Sequence, residues 1–292
     1  MRLVVTGREG QVAASLLEAG REDVEVVAIG RPQLDLARPE TVIDAIAAAK
    51  PDIVVSAAAY TAVDQAEDEP ELAYAVNAAG AGEVAQAAAR RGVPVIHLST
   101  DYVFDGTKDG PYLETDATAP IGVYGASKLA GEQAVASANP RHLILRTAWV
   151  YSPFGKNFAK TMLRLASDRD EIPVVADQWG NPTSALDIAD AILHAAARLH
   201  RNEDFAAWGI YHLAGTDETN WSGFARYILD TSGGLGGPSA RVRDIAATDY
   251  LTKARRPVNS RLSSAKFASV FGWRAPVLQK SAREVIRRLL SR

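Results

Sequence analysis

Short apolar runs ending in glycine or small polar residues alternate with alanine-rich amphipathic stretches through the first half of the chain. Leu3-Val4-Val5 stops at Thr6-Gly7, and residues 10–17 read as a helix. Residues 24–29 form a second run, followed by an alanine-rich helix predicted over about 39–50. Residues 53–59 read as a buried parallel strand running into small residues. A helix is predicted over about 71–91, a fourth strand over 93–99, a helix carrying Tyr124, and a strand over 143–147. Strands this apolar on both faces belong between helix layers. Their alternation with helices builds a doubly wound parallel sheet.

After Trp149 the pattern loosens. Residues 157–167 read as an amphipathic helix, 173–175 as a short strand, 184–199 as an alanine-rich helix and 209–213 as a late strand. Ser232-Gly233-Gly234-Leu235-Gly236-Gly237-Pro238 reads by composition as a flexible linker or loop. No internal repeat is visible. The expected fold is α/β: a Rossmann-type doubly wound parallel sheet with a smaller C-terminal α/β lobe. The sheet unit would take residues 1–147 plus about 173–215, and the lobe about 148–172 plus 216–292.

Composition narrows the classes of function. The chain has 292 residues, 47% hydrophobic and 23% charged, which suits one large α/β domain with an attached lobe. A net charge of -3 gives no reason to expect nucleic acid or an anionic membrane as partner. The absence of cysteine removes disulfides, thiolate zinc sites and cysteine nucleophiles, and fits a reducing cytoplasm. The first strand starts almost at once, so no signal peptide is expected, and no apolar run approaches the ~20 residues that span a bilayer.

The candidate chemistry gathers at predicted strand ends. Gly7-x-x-Gly10-x-x-Ala13 separates the first run from its helix. Gly7 permits a tight turn, and Gly10 lets backbone approach a pyrophosphate at the helix N-terminus. Ala13 is the smallest departure from a third glycine, and an ordinary strand-helix turn is the competing reading. The second run ends in Gly30-Arg31, where an NAD site carries an acid; a guanidinium there suits a 2′-phosphate and favours NADPH over NADH. Ala57, Ala58 and Ala59 leave room for something flat at the sheet edge, with Thr61, Val63 and Asp64 facing the site mouth.

Ser99-Thr100-Asp101-Tyr102 would bring a hydroxyl to the same edge. Tyr124 and Lys128, four residues apart, share a helix face. An ammonium beside a phenol lowers the tyrosine pKa, so the pair can deliver a proton. The basic run from 253 to 262 is the candidate for holding substrate phosphates, against the plainer reading of a solvated face. His97, His142, His194, His200 and His212 show no metal-ligand spacing, and His97 reads as a core residue. Trp179, Trp208, Trp221 and Trp273 read as packing residues.

Together these segments resemble the extended short-chain dehydrogenases/reductases that act on nucleotide sugars. The resemblance rests on Thr6-Gly7-x-x-Gly10-Gln11-Val12, Ala57-Ala58-Ala59-Tyr60-Thr61-Ala62-Val63-Asp64 and Tyr74-Ala75-Val76-Asn77. It continues in Leu98-Ser99-Thr100-Asp101-Tyr102-Val103-Phe104-Asp105-Gly106, Tyr124-Gly125-x-Ser127-Lys128 and Arg256-Pro257-x-Asn259-Ser260-Arg261-Leu262, nearly end to end. It implies hydride transfer from NADPH or NADH to the 4-keto group of a dTDP-linked deoxysugar.

In that reading Tyr124 is the proton donor, Lys128 bonds the nicotinamide ribose, and Thr100 donates to the substrate carbonyl. Gly7, Gly10, Gln11, Val12, Gly30, Arg31, Asp35, Leu36, Ala57 to Ala59, Thr61 and Ser99 would contact the dinucleotide. Val63, Asp101, Tyr102, Trp149, Arg256, Asn259 and Arg261 would contact the nucleotide sugar. Some members of the family carry Mg²⁺ between subunits through glutamates; no such glutamates can be placed here, so no metal is assigned, and a monomer or homodimer is expected.

An epimerase on the same fold would keep its NAD through the cycle. A dehydratase would carry a second carboxylate after Asp101, where this chain has Tyr102. A non-catalytic NADP(H)-binding regulatory subunit would have no need of Thr100, Tyr124 and Lys128.

Overall fold

The computed structural model describes residues 1–291. The chain opens with β1 (Arg2–Thr6), α1 (Gln11–Glu18), β2 (Glu25–Ile29), α2 (Val42–Ala49) and β3 (Ile53–Ser56). Two short helices, α3 (Val63–Ala66) and α4 (Pro70–Tyr74), lead through a π-helical turn at Ala75–Gly80 into α5 (Ala81–Arg90). β4 (Val95–Thr100), α6 (Val123–Ala138) and β5 (His142–Thr147) follow. Next come β6 (Val150–Tyr151), α7 (Phe158–Ala166), β7 (Glu171–Val175), β8 (Trp179–Gly180), β9 (Thr183–Ser184), α8 (Ala185–Arg201) and β10 (Gly209–His212). The remainder is β11 (Thr219–Asn220), α9 (Trp221–Gly234), β12 (Arg241–Ile245), α10 (Ala265–Phe271) and α11 (Leu278–Leu290).

Six strands pair in parallel in the order β10-β5-β4-β3-β1-β2. β1 therefore lies between β2 and β3, the switch point beyond whose carboxyl ends ligands bind in open α/β sheets. Side chains alternate along each strand. Val55, Ile96 and Leu145 pack on one face with Leu16 of α1, Ile188 and Ile192 of α8 and Phe267 of α10. Val54, Val95 and Ile144 pack on the other with Ile46 of α2, Val84 of α5 and Val135 of α6. Both faces are thus covered, as an all-parallel sheet requires.

A separate apolar cluster joins Met162 of α7, Phe224 and Ile228 of α9 and Val285 and Ile286 of α11 to Ile172 and Val174 of β7 and Val242 of β12. β7 pairs in parallel with β12 and stands with this cluster, not with the six-stranded sheet where the boundary near 173 would put it. The strand β12 escapes a hydropathy reading because Arg-Val-Arg-Asp-Ile buries only its valine. The stretch 232–238 is not a flexible linker. Ser232, Gly233 and Gly234 form the last turn of α9, and Gly237 is packed so closely that a Cβ would lie 2.5 Å from Leu290 Cδ2.

The predicted helix over 71–91 is interrupted. Its π-helical turn carries Asn77 inward and sets Gly80 against Leu36, where a Cβ would sit 2.5 Å from the Leu36 carbonyl oxygen. Single π turns of this kind commonly mark functional positions. α6 is pressed equally hard: a Cβ on Gly125 would lie 2.1 Å from Tyr102 O, and one on Gly131 would lie 2.0 Å from Asn77 O.

Backbone cannot yield as a side-chain tip can, so Gly131→Ala is expected to cost about 3 kcal/mol. Gly110→Ala, where a Cβ meets nothing within 4 Å, should stay within about 0.5 kcal/mol of the parent. Urea midpoints of the two variants, measured side by side, check the contrast.

Candidate active site

A cleft of about 890 Å³ opens at the carboxyl ends of β1, β3 and β4, bounded by the Gly7–Gly10 turn, Ala57 to Ala59, Tyr124 and Lys128. Gly7 holds φ +92°, a left-handed conformation that favours glycine. Thr6 Oγ1 accepts hydrogen bonds from Ala57 N and Ala58 N, both 3.1 Å, tying the small-residue loop to β1. The first intrahelical bond of α1 is Ala14 N to Gly10 O, and no side chain caps the N-terminus. Its leading N–H groups are therefore free for an anion. A Cβ on Gly10 would meet nothing within 4 Å. This donor set, and the room beside it, fit the pyrophosphate of a dinucleotide.

The other dinucleotide candidates divide by role. Val12, Gly30, Asp35, Leu36 and Thr61 line the cleft, and Arg31 does so as an exposed guanidinium without an ion pair among the described residues. Arg8, not foreseen from the sequence, lies beside it with its stem 3.4 Å from where a Gly30 Cβ would be. Gln11 also lines the cleft; its amide donates one hydrogen to Val150 O at 3.3 Å and accepts from Ser152 Oγ at 2.8 Å and Asn157 Nδ2 at 3.1 Å, which leaves one N–H and its backbone for a ligand.

The candidate proton-transfer groups come from β4 and α6. Glu67 Oε1 accepts the Val123 N–H at 2.9 Å and places a carboxylate at the positive end of α6. Asn77 bonds Tyr60 N at 2.8 Å, Tyr60 O at 3.0 Å and Ser127 Oγ at 3.0 Å, while Ser127 donates to Tyr124 O at 2.8 Å. One buried amide thus fixes the small-residue loop against the helix that carries Tyr124. Thr100 Oγ1 donates to Asp101 Oδ1 at 2.8 Å and accepts from Tyr102 N at 3.1 Å. The Tyr102 and Tyr124 rings meet edge-on, with centroids 5.8 Å apart.

Tyr124 and Lys128 both line the cleft, as the helix spacing requires. The expected lowering of the phenol pKa is not seen. Desolvation first, then the Asp101 charge, push Tyr124 up to about 12, opposed by the Thr100 hydroxyl. The Lys128 ammonium is turned instead to Leu98 O at 2.6 Å. Burial brings its pKa down to about 8, against the pull of Glu132. Burial also raises Asp101 to about 7, opposed first by the Thr100 hydroxyl. Asp101 Oδ2 has no hydrogen-bond partner among the described residues.

On the other side of Tyr124 a smaller recess is bounded by Val63, Tyr102 and Arg255. Trp149 adopts φ +49° and stacks on Trp221 with centroids 3.5 Å apart, its indole N–H reaching Ser260 Oγ at 3.2 Å. Trp221 packs as expected, against Trp149, Phe158 and the second apolar cluster. The basic run is occupied by protein partners. Arg256 grips Asp64 at 2.7 and 3.1 Å, Arg261 pairs with Glu218 at 3.0 Å, and Lys253 pairs with Asp68. Asn259 donates to Lys108 O at 2.6 Å and Gly110 O at 2.9 Å. Spacing had no means of revealing these acids. Thr147, which ends β5 on the cleft, was findable by the strand-end rule that selects Thr100.

Among the described residues, no cluster of three or more histidine, aspartate or glutamate side chains could hold a metal ion. No helix among them is long and apolar enough to cross a membrane.

Comparison with known proteins agrees with this fold. The family model of the RmlD substrate binding domain matches residues 1–291. The dTDP-4-dehydrorhamnose reductase of Sinorhizobium fredii is 54% identical over 290 residues, covering 99% of this chain and 98% of that protein. The solved dTDP-4-dehydrorhamnose reductase of Clostridium acetobutylicum superposes with a TM-score of 0.90 at 33% identity, over 100% of both chains. The Bacillus anthracis enzyme, solved in complex with NADP, gives a TM-score of 0.88 at 34% identity over 99% of this chain and 98% of that one.

Asp101 supplies a pH test. Its raised pKa favours the protonated form in the fold, so its contribution to stability is full below about pH 3.8 and lost as pH rises through about 7. Asp101→Asn should remove that slope. Denaturation midpoints of both proteins across the window check it, and equal slopes would take Asp101 out of the account.

Proposed function

We infer the reaction from family and geometry together: the chain belongs to the RmlD substrate binding domain family. The protein reduces the 4-keto group of dTDP-4-dehydro-β-L-rhamnose to dTDP-β-L-rhamnose, the step that completes dTDP-rhamnose biosynthesis, with a reduced nicotinamide dinucleotide. The observation that carries the site assignment is that Tyr124 and Lys128 stand on the wall of the same cleft whose floor is the Gly7–Gly10 turn. The cysteine-free chain suits the reducing cytoplasm, where this reading puts the reaction.

The bound dihydronicotinamide would supply the hydride that reaches the ketone carbon. The chain's own residues manage the ketone oxygen. With a pKa of about 12, Tyr124 holds its proton at neutral pH and meets the substrate as an acid. As negative charge grows on the oxygen, the phenol gives up that proton at its Oη. Thr100 supplies a second hydrogen bond once its hydroxyl hydrogen is released from Asp101 Oδ1, and a protonated Asp101 can donate back to Thr100 to release it. The Lys128 ammonium, on the same helix face, offsets the phenolate left on Tyr124.

The six-stranded unit would hold the dinucleotide, with Arg31 and Arg8 facing its 2′-phosphate and favouring NADPH. The second apolar unit and the recess lined by Val63, Tyr102 and Arg255 would hold the nucleotide sugar, with Asp101 and Trp149 as further contacts. For Arg256 and Arg261 to meet the diphosphate, their pairs with Asp64 and Glu218 would have to exchange for phosphate oxygens.

Tyr124→Phe should lower kcat by roughly 10² to 10⁴-fold with NADPH affinity retained, measured by steady-state turnover and fluorescence titration. Near-normal turnover would remove Tyr124 from the mechanism. Arg31→Ala should raise KM for NADPH about tenfold and leave that for NADH unchanged. Equal use of the two cofactors by the parent protein would end the NADPH preference.

A further inference from the structure

One buried titratable group beside the site has no part in the chemistry above. His97 lies on β4 and is 1% exposed. Its Nδ1 is 3.1 Å from Ser56 Oγ on β3, and its Nε2 is 3.5 Å from Lys128 Nζ. We propose that His97 is a positioning residue: a buried imidazole that accepts one hydrogen of the Lys128 ammonium and so holds that charge at the back wall of the cleft. The proposal rests on the reading of Lys128 as part of the catalytic set.

An ammonium has three hydrogens to place, and a buried one cannot leave them to water. Leu98 O takes one at 2.6 Å and His97 Nε2 takes a second, leaving the third for the cleft that Lys128 lines. The nearest carboxylate, Glu132, lies one turn further along α6. It is already engaged by Arg146 of β5 at 2.7 and 2.8 Å and by Ser99 of β4 at 2.5 Å, so it supports Lys128 by its charge and not by a hydrogen bond. The remaining ionisable groups nearby are Tyr124, a turn earlier on α6, and Asp101 beyond β4. Imidazole suits the place because Ser56 can fix its tautomer: Nδ1–H donates to Ser56 Oγ, and Nε2 keeps its lone pair for the lysine. Burial, then the Lys128 charge, hold His97 well below its ordinary range, so it does not compete for the proton. Ser56 is itself 1% exposed and offers no path to solvent, which argues for positioning over proton relay.

The test is the pH dependence of kcat for ketone reduction in the parent, His97→Gln, His97→Asn and Lys128→Met. A glutamine amide reaches the place of Nε2 and can still accept from Lys128; an asparagine amide reaches only the place of Nδ1. His97→Asn should move the high-pH limb down by about one pH unit, and His97→Gln should leave it within about 0.3. An unmoved limb in His97→Asn, or equal movement in both variants, overturns the proposal. Near-normal turnover in Lys128→Met would instead overturn the catalytic reading beneath it. Should His97→Asn not fold, ¹⁵N NMR of histidine-labelled parent protein decides. The expected signal is a neutral Nδ1–H tautomer persisting well below the ordinary imidazole range. An Nε2–H tautomer, or titration near the ordinary 6.5, overturns the proposal.

Discussion

Between α6 and the sheet a carboxylate and a guanidinium face each other almost without solvent. Glu132 and Arg146 are 2% and 3% exposed in their side chains, and Ser99 adds a third bond to the same carboxylate. Desolvating such a pair costs several kcal/mol, so its worth lies less in net stability than in the penalty for any other arrangement. Sliding α6 along β4 and β5 would leave a charge buried and unanswered. Arg146 also lies over the Phe104 ring at 5.1 Å, and its buried Nη1 has no hydrogen-bond partner among the described residues. The candidate residues on α6 inherit their register from this contact, because Lys128 lies one turn before Glu132 and Tyr124 one turn before that.

The rest of the placement is achieved by leaving side chains out. Gly125 lets α6 touch the backbone of Tyr102, and Gly131 lets it touch the backbone of Asn77. Gly180 makes room for the Trp149 ring, 2.4 Å from where its Cβ would be. The π-helical turn then brings the Asn77 amide between the Tyr60 backbone and Ser127. Close backbone approach and one fully engaged amide hold the dinucleotide side and the proton-transfer side at a fixed separation.

Periodicity was enough to read the parallel sheet, because Leu3-Val4-Val5 and the run from Ile53 to Ser56 can only be strands buried on both faces. The strand-end rule put Thr100 at the end of β4, and helix spacing put Tyr124 and Lys128 on one wall of the cleft. What pattern could not show was which groups would answer one another across the fold. Arg256 looked free for phosphate until Asp64, nearly two hundred positions earlier, proved to hold it. Nor could pattern show that the Gln11 amide is tied to Val150, Ser152 and Asn157. The phenol of Tyr124 was expected to be acidified by its neighbour, but desolvation depends on what surrounds a group in three dimensions. β12 stayed hidden because two arginines and an aspartate dilute its single buried valine, and the glycines after Ser232 concealed a packed helix end.

The place of β10 in the sheet has a bearing on how the chain is made. Gly209–His212 is the outermost strand on the β5 side, yet it arrives only after β6 to β9 and the helices α7 and α8 have been synthesised. Until then His142–Thr147 presents an open, apolar edge to the crowded space outside the ribosome, with the backbone groups that β10 will satisfy still unpaired. That interval is when a nascent copy is most exposed to pairing with another. Chaperone demand should therefore be set by the synthesis time of the segment between β5 and β10, and a pause in translation inside it would be more hazardous than one after it.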